Sequence, residues 1–271
     1  MIMVTGAKGQ LATLILQALS DRDIPAIGGS RAAGDGQRYL DFDNSTSLDF
    51  MGISILVLVS AGYAEDDQVI ARHQSVLEAA VRDGVHHVIY TSLTSAGDHL
   101  GFALAHRATE KLVKASGLGW TILRNGLYAE LFGALLTWTS DGLESAFGDG
   151  ALSAVARADL ATVAAIVASD PASHTGKTYD LVGAPITVKD VADRLGARHQ
   201  KISLSEYRSQ LLHDGTLLPF QPPMLTSIAS SIRHGLLSNA SPDLEQLLDR
   251  PITDALATAA GAVSAMTTSS H

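Results

Sequence analysis

Gly6 and Gly9, three residues apart, with Ala12 three further on, follow the apolar run Ile2-Met3-Val4 and precede Leu11, Leu14, Ile15, Ala18 and Leu19 at helical spacing. That pattern fits a strand, a tight turn and a helix. The backbone of Gly6, Ala7, Lys8, Gly9, Gln10 and Leu11 can then approach a pyrophosphate at the positive helix end, while the small Ala12 lets helix and strand pack closely. A lone GxxGxxA run is a weak signal, and its place between a strand and a helix is what makes it a dinucleotide fingerprint. About 20 residues on, where NAD-binding folds carry a carboxylate for the adenosine ribose, stand Gly28, Gly29, Ser30 and Arg31. No acid stands there. Arg31 can pair with a 2′-phosphate, and Lys8 is a second cation, so NADP(H) is expected over NAD(H). Either cation also fits a plain solvated surface charge.

Further candidates lie at strand ends, where open α/β sheets bind ligands. Thr91 and Ser92 end one predicted strand, and Asn125, Gly126 and Tyr128 follow the next. Asn125 can bond a carboxamide or a carbonyl, and Tyr128 can stack on an aromatic substrate or donate a proton; loop packing is the alternative for each. Tyr63, Phe132, Trp138, Phe147 and Phe220 can wall an aromatic pocket or fill core. His106 and Glu110 are four apart, which suits a base with its orienter or a helix-surface contact. Lys111, five residues from His106 and so about 140° around the helix, does not easily serve the same site. His73 falls on an apolar stripe and reads as a satisfied core histidine, and His86-His87 as strand-entry residues. No third ligand accompanies them, so no metal is expected.

The elements that must hold these residues alternate. Strands are predicted at Ile2–Val4, Ile24–Ile27, Tyr39–Phe42, Ile53–Ser60, Val88–Ser92, Trp120–Leu123 and Lys177–Val182. Helices are predicted at Leu11–Ser20, Glu65–Arg82, Ala103–Ser116 and Asp159–Ala168. This is an α/β, Rossmann-type doubly wound parallel sheet. Residues 1–183 are expected to form the NADP(H)-binding domain, with the glycine- and aromatic-rich segment 126–151 contributing to a substrate pocket. Residues 184–271 form a small, mostly helical substrate lobe, with helices at Val188–Leu195 and Glu206–Leu212, a loop at Leu218–Pro223 and a fraying end at Ala262–His271.

Composition bounds the partners. The 271 residues carry 19 basic and 28 acidic side chains, a net charge of −9, which disfavours non-specific nucleic-acid binding. The absence of cysteine excludes disulfides, thiolate nucleophiles and cysteine-ligated metals, so redox chemistry needs a borrowed cofactor. No apolar run approaches the roughly 20 residues of a membrane span, and no leader segment is read at the start, so cytoplasmic residence is expected. The expected partner is a small aromatic or quinone-like molecule, with no nucleic acid, no membrane and at most a second copy of the chain in a homodimer.

Five stretches carry a family likeness: VTGAKGQLA (4–12), RHQSVLEAAVRDGVHHVIYTSL (72–93), ATEKLVKASG (108–117), TILRNGLY (121–128) and AVARADLA (154–161). In them the chain resembles the NmrA-like group of atypical short-chain dehydrogenase/reductases, particularly its type 2 quinone oxidoreductase and triphenylmethane reductase branches. The resemblance implies an adenine contact at Asp41-Phe42 and a ribose-facing backbone at Ser60-Ala61-Gly62. It also implies a structural pair of Arg157 with Asp159, and a Lys111 that positions the nicotinamide ribose. Relatives often carry Thr at position 8 and Gly at position 12, and the likeness weakens after Ala184.

Most short-chain reductases place a tyrosine four residues before a lysine, where the ammonium lowers the phenol pKa. Arg107 stands four residues before Lys111. A missing phenol suits hydride transfer to a quinone-like or other conjugated acceptor, which demands no strong positioned acid. It also suits a biosynthetic reductase of the same fold, and a nonenzymatic NADP(H) sensor that reports to a regulator.

Overall fold

The structure, a computed structural model, describes residues 1–32, 34, 36–61 and 64–269, with backbone alone for 267–269; Gly62 and Tyr63 lie outside the described residues. In chain order the first elements are β1 (Ile2–Thr5), α1 (Gln10–Ser20), β2 (Ala26–Ser30), β3 (Arg38–Tyr39), β4 (Ile55–Val59), α2 (Asp66–Arg82), β5 (His87–Leu93), α3 (Ala103–Ala115) and β6 (Gly119–Asn125). There follow α4 (Ala129–Ala134), β7 (Thr137–Thr139), β8 (Gly142–Ser145), β9 (Ala151–Ser153), α5 (Arg157–Ser169), α6 (Pro171–His174) and β10 (Lys177–Leu181). The chain ends through β11 (Pro185–Thr187), α7 (Val188–Arg194), β12 (His199–Lys201), α8 (Leu204–His213), α9 (Gln221–Arg233), α10 (Asp243–Leu247) and α11 (Ala255–Ser269).

Seven parallel strands form the main sheet in the order β10-β6-β5-β4-β1-β2-β3. The continuously apolar strands are explained by burial on both faces. Met3, Leu56, Leu58, Val88, Tyr90 and Ile122 face one way, onto Val76 of α2 and Val113 of α3. Their neighbours Ile2, Val4, Val57, Ile89 and Leu123 face the other, onto α1 and α5. Strand order reverses between β1 and β4, which opens a crevice at their carboxyl ends.

Four expectations change, the first being the third strand, which is Arg38–Tyr39 rather than Tyr39–Phe42. The second strand runs Ala26–Ser30 rather than Ile24–Ile27, and its glycines pair in register with Val4 and Thr5. A Cβ on Gly28 would stand 2.6 Å from the Ala7 Cβ, so the glycine admits the fingerprint turn against the strand. The loop expected at Leu218–Pro223 ends early, because Pro222 and Pro223 occupy the first turn of α9, where a missing N–H is harmless. The fraying tail is instead α11, helical to Ser269.

A second core unites Phe132, Leu136, Leu143, Phe147 and Leu152 with Ile186, Val191, Ile228, Ile232 and Ala259, so it draws on residues before and after 183. Small residues let α11 lie close on α4. A Cβ on Gly133 would collide with the Ala259 carbonyl oxygen and approach the Ala262 Cβ to 2.9 Å. Gly133→Ala should therefore destabilise by about 1–3 kcal/mol, the usual range for overpacking, measured by urea denaturation; an unchanged midpoint would contradict this packing.

Candidate functional site

At the crevice the fingerprint forms a cradle. Gly6 sits at φ +66°, a left-handed conformation, and the Gly9 amide donates back to the Gly6 carbonyl at 2.7 Å. The Ala7 amide bonds the Gly29 carbonyl at 3.1 Å, and the Thr13 hydroxyl, which was not anticipated, donates to the Gly9 carbonyl at 2.9 Å. Gly9 caps α1 without a side-chain bond, and no acid sits in the first turn. The amides of Gln10 and Leu11 have no partner among the described residues, so the helix end is available to an anion.

The end of β2 fits a phosphorylated ribose. Ser30 Oγ is buried without a partner, the kind of orphan that a ligand oxygen satisfies. Lys8 and Arg31 are exposed and form no ion pair among the described residues. Lys8 Nζ reaches across the β2–β3 connection, 4.0 Å from the place of a Cβ on Gly34. Asp41 and Phe42 follow β3, half-buried, in a turn closed by Ser47 Oγ, which accepts from the Asp41 amide at 2.9 Å. Asp43 is ion-paired to Arg72 at 2.6 Å, and that bond holds its carboxyl below the usual range.

At the end of β4 the backbone is held by side chains. The Ser60 amide donates to Thr91 Oγ1 at 3.1 Å, and the Ala61 amide donates to His73 Nε2 at 3.0 Å. His73 is fully buried, and its Nδ1 meets Thr109 Oγ1 at 2.8 Å. Since Nε2 accepts an amide proton, the ring is neutral with its proton on Nδ1. Burial pushes its pKa down to about 3. Beside this segment lies a cleft of about 210 Å³, walled by Ser60, Ala61, Phe102, His106, Phe220 and Met224.

The helix α3 corrects the sequence reading. Glu110 does not orient His106, because its carboxylate accepts from Ser92 Oγ at 2.7 Å and from Arg124 Nε and Nη2 at 2.9 and 2.8 Å. Burial alone would raise the Glu110 pKa, and these bonds outweigh it and hold the carboxyl ionised. The Ser92 hydroxyl is occupied inside this cluster. His106 bonds Tyr90 instead, Nδ1 to Oη at 3.0 Å, and burial lowers its pKa to about 4. Lys111 points to solvent with no bond or ion pair among the described residues, away from the buried stripe of Ala103, Thr109, Glu110 and Val113. From α3, Ala105 and His106 line the cleft, and His106 is the polar one.

At the end of β6, Asn125 is buried with Oδ1 unpartnered, and the Gly126 amide bonds the Leu181 carbonyl at 2.8 Å. The Arg157 guanidinium covers the Tyr128 ring at 4.4 Å, and burial raises the phenol pKa. Arg157 and Asp159 are not paired. Arg157 faces Glu130 at 3.5 Å, whereas Asp159 binds Arg250 at 2.7 Å and the Thr253 amide at 2.9 Å, which anchors the approach to α11. Phe132 and Phe147 are core, with ring centroids 5.4 Å apart, and Trp138 is 45% exposed on β7. Phe220 does line the cleft, joined by Phe102, which lies four residues before His106 and was missed. Among the described residues no group of three or more His, Asp or Glu is placed to hold a metal, and no helix is long and apolar enough to cross a membrane.

His73 and His106 stay neutral in the folded chain down to about pH 3 and 4, while an unfolded histidine protonates near pH 6.5. Between those values the unfolded state binds more protons, so stability should fall as the pH drops from 6.5 toward 4. His87, His174 and His199 are shifted the same way. Urea titrations from pH 7.5 to 5 test the slope, and imidazole NMR signals of His73 should not move over that range; a His73 titration midpoint near 6.5 would refute the buried neutral ring.

The comparisons agree with this geometry. A family model described as NAD(P)H-binding matches residues 6–171. Quinone oxidoreductase 2 of Escherichia coli is 31% identical over 93% of this chain and 95% of that protein. Its structure complexed with NADPH superposes with a TM-score of 0.82, covering 98% of this chain and 100% of that one. The Citrobacter sp. triphenylmethane reductase complexed with NADP(H) gives a TM-score of 0.87 at 29% identity, covering 96% and 99%. An NmrA-like family domain-containing oxidoreductase of Aspergillus flavus is 30% identical over 70% of this chain and 68% of its own length. With its glycine cradle, parallel sheet and strand-end crevice, the chain belongs to the NAD(P)H-binding, NmrA-like family.

Proposed function

We propose that this NAD(P)H-binding oxidoreductase uses NADPH to reduce a flat, conjugated small molecule of the quinone type. The observation that carries this reading is the cleft in which Phe102, Phe220 and Met224 stand directly beside the Ser60–Ala61 backbone at the crevice, with His106, Glu65 and Asp66 as its polar wall. A cleft there opens on the ribose-facing segment, and its walls suit a planar ring. NADPH supplies two electrons with one hydrogen when bound.

The chain's own groups bind and orient. The Gly6–Leu11 backbone takes the pyrophosphate, Lys8, Arg31 and the Ser30 hydroxyl take the 2′-phosphate, and Asp41-Phe42 flank the adenine. Thr91 and His73 fix the Ser60 and Ala61 amides. Asn125 Oδ1, buried and unpartnered, is suited to accept from a carboxamide N–H. Residues 1–183 hold the cofactor, and Phe220 and Met224 from the chain after 184 complete the acceptor cleft, whereas the segment 126–151, expected to contribute, supplies core instead of cleft lining. No Tyr-x-x-x-Lys pair is needed, because a quinone accepts electrons without a strong positioned acid. The quinone oxidoreductase and triphenylmethane reductase relatives support the acceptor class by analogy.

Fluorescence titration should give tighter binding of NADPH than of NADH. Lys8→Ala and Arg31→Ala should each weaken NADPH binding roughly tenfold, the scale of a charge-assisted bond, and leave NADH affinity nearly unchanged. Equal dissociation constants for the two cofactors would overturn the NADPH assignment. The purified chain should oxidise NADPH with members of a panel of quinones and triphenylmethane dyes; tight NADPH binding with no turnover on any of them would overturn the reductase reading.

A further inference from the structure

Two hydrogen-bonded groups, Ala61–His73–Thr109 and Tyr90–His106, lie between the Ser60–Ala61 backbone and the cleft. The first starts at the Ala61 amide, which donates to His73 Nε2 at 3.0 Å. An amide can only donate, so the His73 proton lies on Nδ1 and goes to Thr109 Oγ1 at 2.8 Å. Thr109 is fully buried, and both it and Ser60 stand near the Tyr90 phenol. Tyr90 is itself fully buried, which keeps the phenol protonated. Its oxygen lies 3.0 Å from His106 Nδ1. A phenol O–H is the stronger donor and an imidazole nitrogen the stronger acceptor, so Tyr90 donates and Nδ1 accepts.

The consequence falls on His106. With Nδ1 accepting, its remaining proton lies on Nε2, which has no partner among the described residues, and the ring lines the cleft. Phe102 sits edge-on to the imidazole, with centroids 6.3 Å apart, and the tilted Tyr90 ring backs it at 6.2 Å. The ring is therefore fixed in both orientation and tautomer.

We infer that His106 is a catalytic residue whose neutral imidazole donates a hydrogen bond from Nε2 to the carbonyl oxygen of the acceptor, selecting carbonyl-bearing acceptors over oxygen-free cationic dyes. This rests on the reductase reading above. As a quinone gains two electrons and one hydrogen from NADPH, which leaves as NADP⁺, negative charge gathers on the oxygen facing His106. A preorganised donor stabilises that charge more than it stabilises the neutral carbonyl. The imidazole keeps its proton throughout, and solvent supplies the one that completes the hydroquinone. A triphenylmethane dye cation offers a carbon centre and no oxygen, so the Nε2 proton has nothing to stabilise there.

The test uses the full chain. In the NADP⁺-loaded wild type, ¹⁵N NMR should report the Nε2–H tautomer of His106, and Tyr90→Phe should shift it to a mixture. A wild-type Nδ1–H tautomer would overturn the proposal without any turnover measurement. With a p-quinone, His106→Phe should lower kcat/KM roughly 100-fold, as loss of one oxyanion donor does. With a cationic triphenylmethane dye the change should stay under about threefold, on the same argument. His106→Gln, which returns an amide N–H near the same place, should recover a large part of the quinone loss. Equal losses for both acceptors, or none for either, would overturn the role, provided NADPH affinity is retained. A wild type that turns over neither acceptor defeats the reductase reading instead, and the tautomer measurement still stands.

Discussion

The bond from the part-buried Ala61 amide to the fully buried His73 is the constraint on which much of the site depends. A buried amide left unpaired costs on the order of 1–3 kcal/mol, and the loop after β4 meets that demand with an imidazole from α2. The same imidazole reaches Thr109 on α3, so the loop after β4, α2 and α3 are tied at one point. Burial keeps the ring uncharged, which preserves its acceptor nitrogen across the physiological pH range. The Ser60–Ala61 backbone beside the cleft is thereby held by side-chain acceptors, Thr91 and His73.

Around that contact the sheet supplies rigidity. Seven parallel strands with both faces covered bring β1 and β4 side by side, and their carboxyl ends carry the glycine cradle and Ser60–Ala61 respectively. A second polar cluster, Ser92, Glu110 and Arg124, locks α3 onto β5 and β6 through charge-assisted bonds. It lies one helical turn from His106 and leaves that side chain to Tyr90. The division of labour between the two acid–base candidates on α3 follows from which strand residue each one meets.

The cleft's outer wall comes from elsewhere in the chain. Phe220 and Met224 stand at the start of α9, whose inner face packs into the second core with Phe132 and Phe147. That core depends on close backbone approach, with Gly133 under Ala259 and the Asp159 carboxylate holding Thr253 ahead of α11. Small residues at the end of the chain read as a loose tail because their value lies in what they let approach, and a linear pattern does not show the approaching partner.

The glycine turn, the alternation of apolar strands and amphipathic helices, and the unpaired cations Lys8 and Arg31 were legible from residue types and spacing alone. Those features obey local rules: backbone freedom, side-chain period and charge. His73 was likewise readable as a core histidine from its stripe. What linear order did not carry was partnership. Glu110 lies four residues from His106 yet belongs to Arg124; Ser92 and Lys111 were placed at the cofactor, yet one is enclosed and the other faces water; Arg157 and Asp159 are neighbours with separate partners. Sequence by itself determined the nucleotide cradle and the sheet, because each is built from contacts a few residues long. Only the tertiary structure decided which imidazole faces the cleft, because that follows from which strand residue each α3 side chain meets: Tyr90 of β5 for His106, and Ser92 of β5 with Arg124 of β6 for Glu110.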